Sequence, residues 1–263
     1  MVKIVTGWSN PGGSTTAFIN LTNKLNETGI DTTLFGPHEW HLDKCKSDLI
    51  SNCRPLATDK LIIHFLNLPK RPKVKKVILS CHEKNLYEVG EIPQFWDTAV
   101  FINKKHREYH SRYNGEYYII PNLREDLNQT IKPNKKIAGI IGSIDRNKQT
   151  HLSISRAIKD GCSKIYLFGK ITEPAYYEQY VEPLIKGPVE YYGYIEDKQK
   201  MYNMIDRVYL SSISECASLV KDECYTTKTE FFGNSAVEHN SEILDNDTII
   251  KKWKGILEFD DRR

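Results

Sequence analysis

Two glutamates separated by seven residues, Glu215 and Glu223, stand in Ser211-Ser212-Ile213-Ser214-Glu215-Cys216-Ala217-Ser218-Leu219-Val220-Lys221-Asp222-Glu223, directly after a short apolar run. A helix beginning near Ala217 places Glu215 just before its N-terminus. The free N–H groups of Ala217, Ser218 and Leu219, at the positive end of the helix dipole, could there hold an anion such as a diphosphate. Glu223 falls about one and a half turns into that helix, where it could accept hydrogen bonds from ribose hydroxyls. A loop carboxylate followed by a surface helix residue is the plainer account of the same pair.

Three earlier strand ends carry related chemistry. Gly142-Ser143-Ile144-Asp145-Arg146-Asn147-Lys148, Phe168-Gly169-Lys170 and Tyr192-Gly193-Tyr194 each follow a short apolar run. In an open parallel sheet, ligands bind beyond the carboxyl ends of the strands, where all four turns would lie. Near the N-terminus, Ser9-Asn10-Pro11-Gly12-Gly13-Ser14-Thr15 joins a strand to a helix. Gly12 and Gly13 leave room for close backbone approach to an anion at the helix start. The segment matches neither G-x-G-x-x-G nor G-x-x-x-x-G-K-[ST], so an ordinary strand–helix turn stays open.

Other residue pairs invite chemistry and receive plainer readings. His82, in Ser80-Cys81-His82-Glu83, is either a ligand contact or a core histidine at a strand end, and His64 in Ile62-Ile63-His64-Phe65 reads as core. His106 and His110 stand four apart, as metal ligands on one helix face would, but no third ligand has a suggestive spacing. They read as a solvated helix face, and no metal site is assigned. Asp245-Asn246-Asp247 precedes the final helix, with Asp247 a natural N-cap. Ser211, Ser212 and Ser214 lack the G-x-S-x-G elbow of a hydrolase nucleophile.

The elements that must position these residues follow an alternating strand–helix pattern, the signature of parallel α/β sheets. Strands are expected at Lys3–Thr6, Asp31–Phe35, Leu61–Phe65, Val74–Ser80, Thr98–Ile102 and Tyr117–Ile120, with helices at Ser14–Glu27 and Lys104–Tyr113. A polar segment at Arg124–Lys136 reads as a linker. Strands then recur at Ile137–Ile141, Lys164–Phe168, Val189–Tyr192 and Val208–Leu210. The helices between and after them fall at Gln149–Lys159, Glu173–Ile185, Asp197–Met204 and Thr248–Phe259.

With 263 residues, 40% hydrophobic and 27% charged, the chain is ordinary globular material of two-domain size. Its net charge of +3 is too small for wholesale charge-driven nucleic-acid binding. Residues 60–112 nevertheless hold 11 basic against 5 acidic side chains, a solvated face or a surface for an anionic acceptor. The six scattered cysteines suit free thiols in a reducing, cytoplasmic setting. No apolar run is long enough to span a membrane.

Taken in order, Gly12-Gly13, His82, Ile120-Pro121-Asn122, Gly142…Lys148, Phe168-Gly169, Gly193 and Glu215-x7-Glu223 resemble the retaining GT-B glycosyltransferases of family 4, also called group 1, across roughly residues 1–258. The resemblance implies two Rossmann-like α/β lobes facing across a cleft, 1–130 binding the acceptor and 131–263 the nucleotide sugar, with the final helix crossing back. It implies hexose transfer from a nucleoside diphosphate sugar to an acceptor hydroxyl with retention. Gly12 and Gly13 would abut the donor diphosphate, joined by Gly142, Ser143, Arg146, Gly169, Ala217, Ser218 and Leu219. Lys148 would neutralise that diphosphate, Glu215 and His82 would contact the transferred sugar, and Glu223 would bind the ribose. No cofactor or metal is implied, and the acceptor would be a glycan or a lipid-linked molecule, with a location peripheral to a membrane in the latter case.

Two positions depart from the family pattern: Ser143 stands where an arginine is usual, with Arg146 nearby, and Lys228 replaces a glycine five residues after Glu223. Three alternatives remain open: a DNA-modifying glycosyltransferase gripping duplex through residues 60–112, a non-catalytic nucleotide-sugar-binding relative, and a nicotinamide-dependent sugar enzyme.

Overall fold

The alternation of β-branched runs with amphipathic stretches builds two all-parallel sheets in the computed structural model, which describes residues 1–10, 12–66, 68, 70–84, 89–91, 94–129, 135–235 and 244–258. Two compact units result, Met1–Arg124 with Ser241–Arg263, and Glu125–Asn240. The first carries β1 (Val2–Thr6), α1 (Gly13–Glu27), β2 (Thr32–Gly36), β3 (Ser47–Leu49), β4 (Lys60–His64), β5 (Lys76–Cys81), β6 (Thr98–Phe101), α2 (Lys104–Tyr109) and β7 (Tyr117–Ile119). The second carries β8 (Ile137–Ile141), α3 (Thr150–Lys159), β9 (Lys164–Phe168), α4 (Pro174–Tyr176), β10 (Val189–Gly193), α5 (Lys198–Met204), β11 (Arg207–Leu210), α6 (Leu219–Thr227) and β12 (Glu230–Gly233). The last helix, α7 (Asn246–Glu258), belongs to the first unit.

Strand order in the first sheet is β3-β2-β1-β4-β5-β6-β7, and in the second β10-β9-β8-β11-β12. Both orders reverse direction once, between β1 and β4 and between β8 and β11. Such reversals leave a crevice beyond the carboxyl ends of the two adjoining strands, where ligand sites form in open α/β sheets. β1 buries all five of its residues, as a strand covered on both faces must. One face of the first sheet, with Ile4, Ile62, Ile78 and Val100, shares a core with Phe18 of α1 and Ile249, Trp253 and Ile256 of α7. Lys76 Nζ donates to the Ile256 carbonyl at 3.2 Å, and Lys60 Nζ donates to that of Leu257.

Three local expectations are corrected. The single helix expected over Glu173–Ile185 is broken into α4, a π turn at Tyr177–Val181 and a 3₁₀ turn at Glu182–Leu184. Pro183 has no N–H to continue an α-helical ladder, so the wider and tighter turns take over. α2 ends at Tyr109, four residues early, and Tyr113 turns into the core at 3% exposure. Asp245, not Asp247, caps α7: its carboxylate accepts from Thr248 N and Thr248 Oγ1 at 2.7 and 2.9 Å. Edge strands β3 and β12, absent from the sequence reading, are three and four residues long, too short to show a period.

Candidate functional site

Loops at the second sheet's reversal carry most of the expected donor residues. Gly142 follows β8 with φ +140, and the Lys148 side chain lies across it, with Cε 3.5 Å from where a Cβ would stand. Gly169, after β9, has φ +155, and a Cβ there would come within 1.8 Å of the Gly142 carbonyl oxygen. Only glycine permits these two loops to touch. Asp145 organises the turn: Ser143 Oγ donates to its Oδ2 at 2.5 Å and Lys148 N to its Oδ1 at 2.9 Å. Asn147 then ties this loop to the one after β11, accepting from Ser214 N at 3.2 Å and, through its carbonyl, from Ile213 N at 2.7 Å.

That tie brings Lys148 to Glu215. Lys148 Nζ donates to Glu215 Oε1, which also accepts from Ser212 Oγ at 2.7 Å, with the two ionised side chains 25% and 13% exposed. The helix behind them starts two residues later than the sequence suggests. Ser218 is the N-cap, its Oγ accepting from Lys221 N at 3.3 Å, and α6 begins at Leu219. Ala217 thus precedes the helix, and the open N–H groups are those of Leu219 and Val220 rather than Ala217 and Ser218. Arg146 is 61% exposed in its side chain and donates to Glu173 from both Nε and its backbone N–H. Buried Ser211 Oγ has no hydrogen-bond partner among the described residues.

Glu223 lies deeper, at 4% exposure. Lys198 of α5 donates to its Oε1 at 2.6 Å, and Tyr202 Oη donates to Oε2 at 2.9 Å. Lys198 also donates to Glu125 at 2.6 Å. Burial pushes the Glu223 carboxyl above its usual range against the pull of Lys198. For Lys198, burial opposes the charge, but Glu223 and Glu125 outweigh it and raise the ammonium. Lys228, at the glycine position of the family pattern, caps α6 in the left-handed region at φ 57.

In the first unit, α1 starts at Gly13 with Gly12 as N-cap, and no side chain caps it. Both glycines are exposed, and Thr15 Oγ1, buried in the first turn, has no partner among the described residues. His82 follows β5 with its ring 4.8 Å from Phe18 of α1 and 5.3 Å from His64, centroid to centroid. Burial drives the His82 imidazole down to about 3, so it is neutral at physiological pH. Beside it, His64 bridges Thr6 Oγ1 at 2.8 Å and Glu83 Oε1 at 2.6 Å. Burial favours the neutral Glu83 carboxyl, but the His64 hydrogen bond and charge prevail and hold it at about 2. His64 is therefore buried as expected, yet it belongs to the polar network around His82.

The solvated-face reading of His106 and His110 is overturned. Both are buried, at 1% and 0% exposure, against Cys81. Tyr113 and Phe101 cover that side of α2, which six polar letters in a row conceal. Part of the basic stretch 60–112 is engaged within its unit. Lys60 and Lys76 hold α7, Arg71 forks onto Asp97, Arg107 donates to the His110 and Tyr113 carbonyls, and Arg112 pairs with Glu91. All six cysteines are free thiols. No described helix is long and apolar enough to cross a membrane. Lys198, Tyr202 and Glu125 gave no signal in the sequence, because nothing in their spacing points to Glu223. The four-residue spacing of His106 and His110 was a signal, and burial supplied its meaning.

No family model matches the chain, and no curated protein matches it in sequence. Solved structures do. The chain is similar to the Anabaena protein HepE in complex with UDP-glucose, covering 98% of this chain and 90% of that one at 10% identity and a TM-score of 0.68. It is similar to the sucrose-phosphate synthase of Thermosynechococcus elongatus over 90% and 81% of the two chains, at 12% identity and a TM-score of 0.67. AviGT4, a glycosyltransferase involved in avilamycin A biosynthesis, covers 96% and 88%, at 14% identity and a TM-score of 0.63. The fold is that of these neighbours: two parallel-sheet α/β domains of the GT-B glycosyltransferase kind.

Proposed function

We propose that this protein transfers a hexose from a nucleoside diphosphate sugar to an acceptor hydroxyl, with retention at the anomeric carbon. The observation that carries the reading is the Lys148–Glu215 pair at the β8/β11 reversal, in a fold shared with a UDP-glucose complex. A departing nucleoside diphosphate gains negative charge as the glycosidic bond breaks. A fixed ammonium and the open N–H groups at the start of α6 stabilise that charge without reorganising. In this account Lys148 takes the diphosphate, aided by the backbone of Gly142, Ser143 and Gly169, and releases Glu215 to accept from the sugar hydroxyls. Glu223 takes the ribose, neutral His82 meets the transferred sugar, and the bare N-terminus of α1 at Gly12 and Gly13 receives the phosphate side. These protein groups supply the countercharge, so the reaction proceeds without a divalent cation.

The acceptor we favour is a glycan or a lipid-linked sugar. Lys60, Lys76 and Arg107 are spent on backbone carbonyls and Arg71 and Arg112 on carboxylates, which thins a duplex phosphate track there. A non-catalytic relative is the second reading, favoured by Ser143 in place of an arginine and by Arg146 being held on Glu173. The test is incubation with UDP-, GDP- and ADP-hexoses and a panel of sugar acceptors, reading nucleotide release and the anomeric coupling constant of the product. Turnover with a retained anomer, lost in Lys148→Ala and Glu215→Gln, supports the enzyme. Binding without release supports the relative, and an inverted product overturns the stereochemistry.

A further inference from the structure

Four of the chain's eight histidines gather on one turn, Cys81-His82-Glu83. His106 Nε2 lies 2.7 Å and His110 Nε2 2.9 Å from the Glu83 carbonyl oxygen, and Cys81 Sγ–H points to the same oxygen at 3.6 Å. At its other end the Glu83 carboxylate accepts from His64 Nε2 at 2.6 Å and from the His82 backbone N–H at 3.2 Å. Both the backbone and the side chain of Glu83 are thus fixed, and His82 is fixed with them.

Cys81, His106 and His110 present one sulfur and two nitrogens within 4.8 Å of one another, all buried, a set whose chemistry would suit a zinc ion. The protons stand the wrong way round for one. A metal on Nε2 needs its lone pair there and a proton on Nδ1 directed at an acceptor. Here a carbonyl oxygen, which only accepts, faces each Nε2. Each Nδ1 is instead approached by a backbone donor, Val89 N–H to His110 at 3.1 Å and Ile102 N–H to His106 at 3.5 Å. A neutral ring carries one proton, so a backbone donor at each Nδ1 assigns that proton to Nε2, where the Glu83 carbonyl lies nearer than the other ring's Nε2 at 3.3 Å or Cys81 Sγ at 3.4 and 3.9 Å.

We propose that His106 and His110 are positioning residues, a pair of neutral Nε2–H donors that clamp the Glu83 carbonyl and so hold His82, rather than ligands of a metal. What His82 is held for rests on the functional reading above; the clamp itself does not.

The experiment separates the two. Two-bond ¹H–¹⁵N spectra of the full chain, recorded with and without added zinc, should show His106 and His110 as Nε2–H tautomers and no stoichiometric zinc uptake. Glutamine carries a side-chain N–H₂ where Nε2–H stands but is a poor zinc ligand. His106→Gln and His110→Gln should therefore keep turnover near wild type. Against them, His106→Leu and His110→Leu should lose about tenfold or more in kcat with donor KM little changed. Nδ1–H tautomers, one tightly held zinc per chain, or glutamine variants as impaired as the leucine ones would each overturn the clamp. If no sugar nucleotide turns over even in wild type, the functional reading fails, while the tautomers and the zinc titration still decide the clamp.

Discussion

Lys148 and Glu215, 67 positions apart in the chain, form an ion pair across the reversal of the second sheet, with Ser212 holding the same carboxylate oxygen. The pair exists because the glycine turn at Gly142, with φ +140, carries the chain to Lys148 and because Asn147 sews the β8 and β11 loops together. Replacing Lys148 with Met keeps most of the packing and removes the charge. Turnover should fall by about 10²–10³, the usual effect of losing one preorganised charge stabiliser. Thermal stability should move by no more than about 1 kcal/mol, since both groups reach solvent. A Lys148→Met enzyme with wild-type kcat would remove the lysine from the site.

Lys198 should matter more to stability than to local charge balance. Lys198→Met leaves the Glu223 carboxylate buried with Tyr202 as its remaining neighbour, a loss of about 3–5 kcal/mol at neutral pH, readable by urea unfolding. The pH dependence has a definite sign. Burial already raises the folded Glu223 pKa, and removal of Lys198 raises it further. The folded variant then keeps a proton that the unfolded chain loses above about 4.5. Its deficit should shrink as pH falls from 7 towards 5, whereas Glu223→Gln combined with Lys198→Met should show no such recovery.

Lys228 occupies a left-handed backbone position that a side chain bears at a cost of about 1–2 kcal/mol. Lys228→Gly should stabilise the protein by about 1 kcal/mol, visible as a higher Tm, with turnover unchanged. Lys228 ends α6 in this chain, so the substitution falls on helix termination. A lower Tm would mean that the Lys228 side chain contributes more than its backbone costs.

Acid should weaken the fold through its buried histidines. Burial pushes His106 down to about 4, while the unfolded residue titrates near 6.5. Between those values the unfolded chain binds a proton that the folded one refuses, so stability declines as pH falls from about 6.5 to 4, by on the order of 3 kcal/mol for this residue. His106→Gln should flatten that part of the curve. An unchanged slope would assign the acid sensitivity to other groups.

Much of this was legible in the residues themselves. The parallel α/β architecture follows from alternation, and Gly142, Gly169, Lys148 and Glu215 follow from strand ends rich in glycine and charge. What stayed hidden depends on partners distant in sequence. Nothing in Asp197-Lys198-Gln199 announces that Lys198 reaches Glu223, and nothing in Lys104-Lys105-His106-Arg107 shows that His106 faces inward. Helix α6 starts at Leu219 because Ser218 caps it, a choice among neighbouring serines that composition leaves open. The edge strand β12 takes its shape from β11 alongside it.

The central claim, a nucleotide-sugar site built on Lys148, is tested most directly by the unfolding midpoint of the wild-type and Lys148→Ala proteins against UDP-, GDP- and ADP-sugars and their free nucleotides. Binding to the folded state adds RT ln(1 + [L]/Kd), about 2.7 kcal/mol at a hundredfold excess over Kd. A clear rise in Tm with one nucleotide series is expected, and its loss in Lys148→Ala. A rise of equal size in the variant would contradict the site, and no rise with any nucleotide or sugar nucleotide would contradict the function.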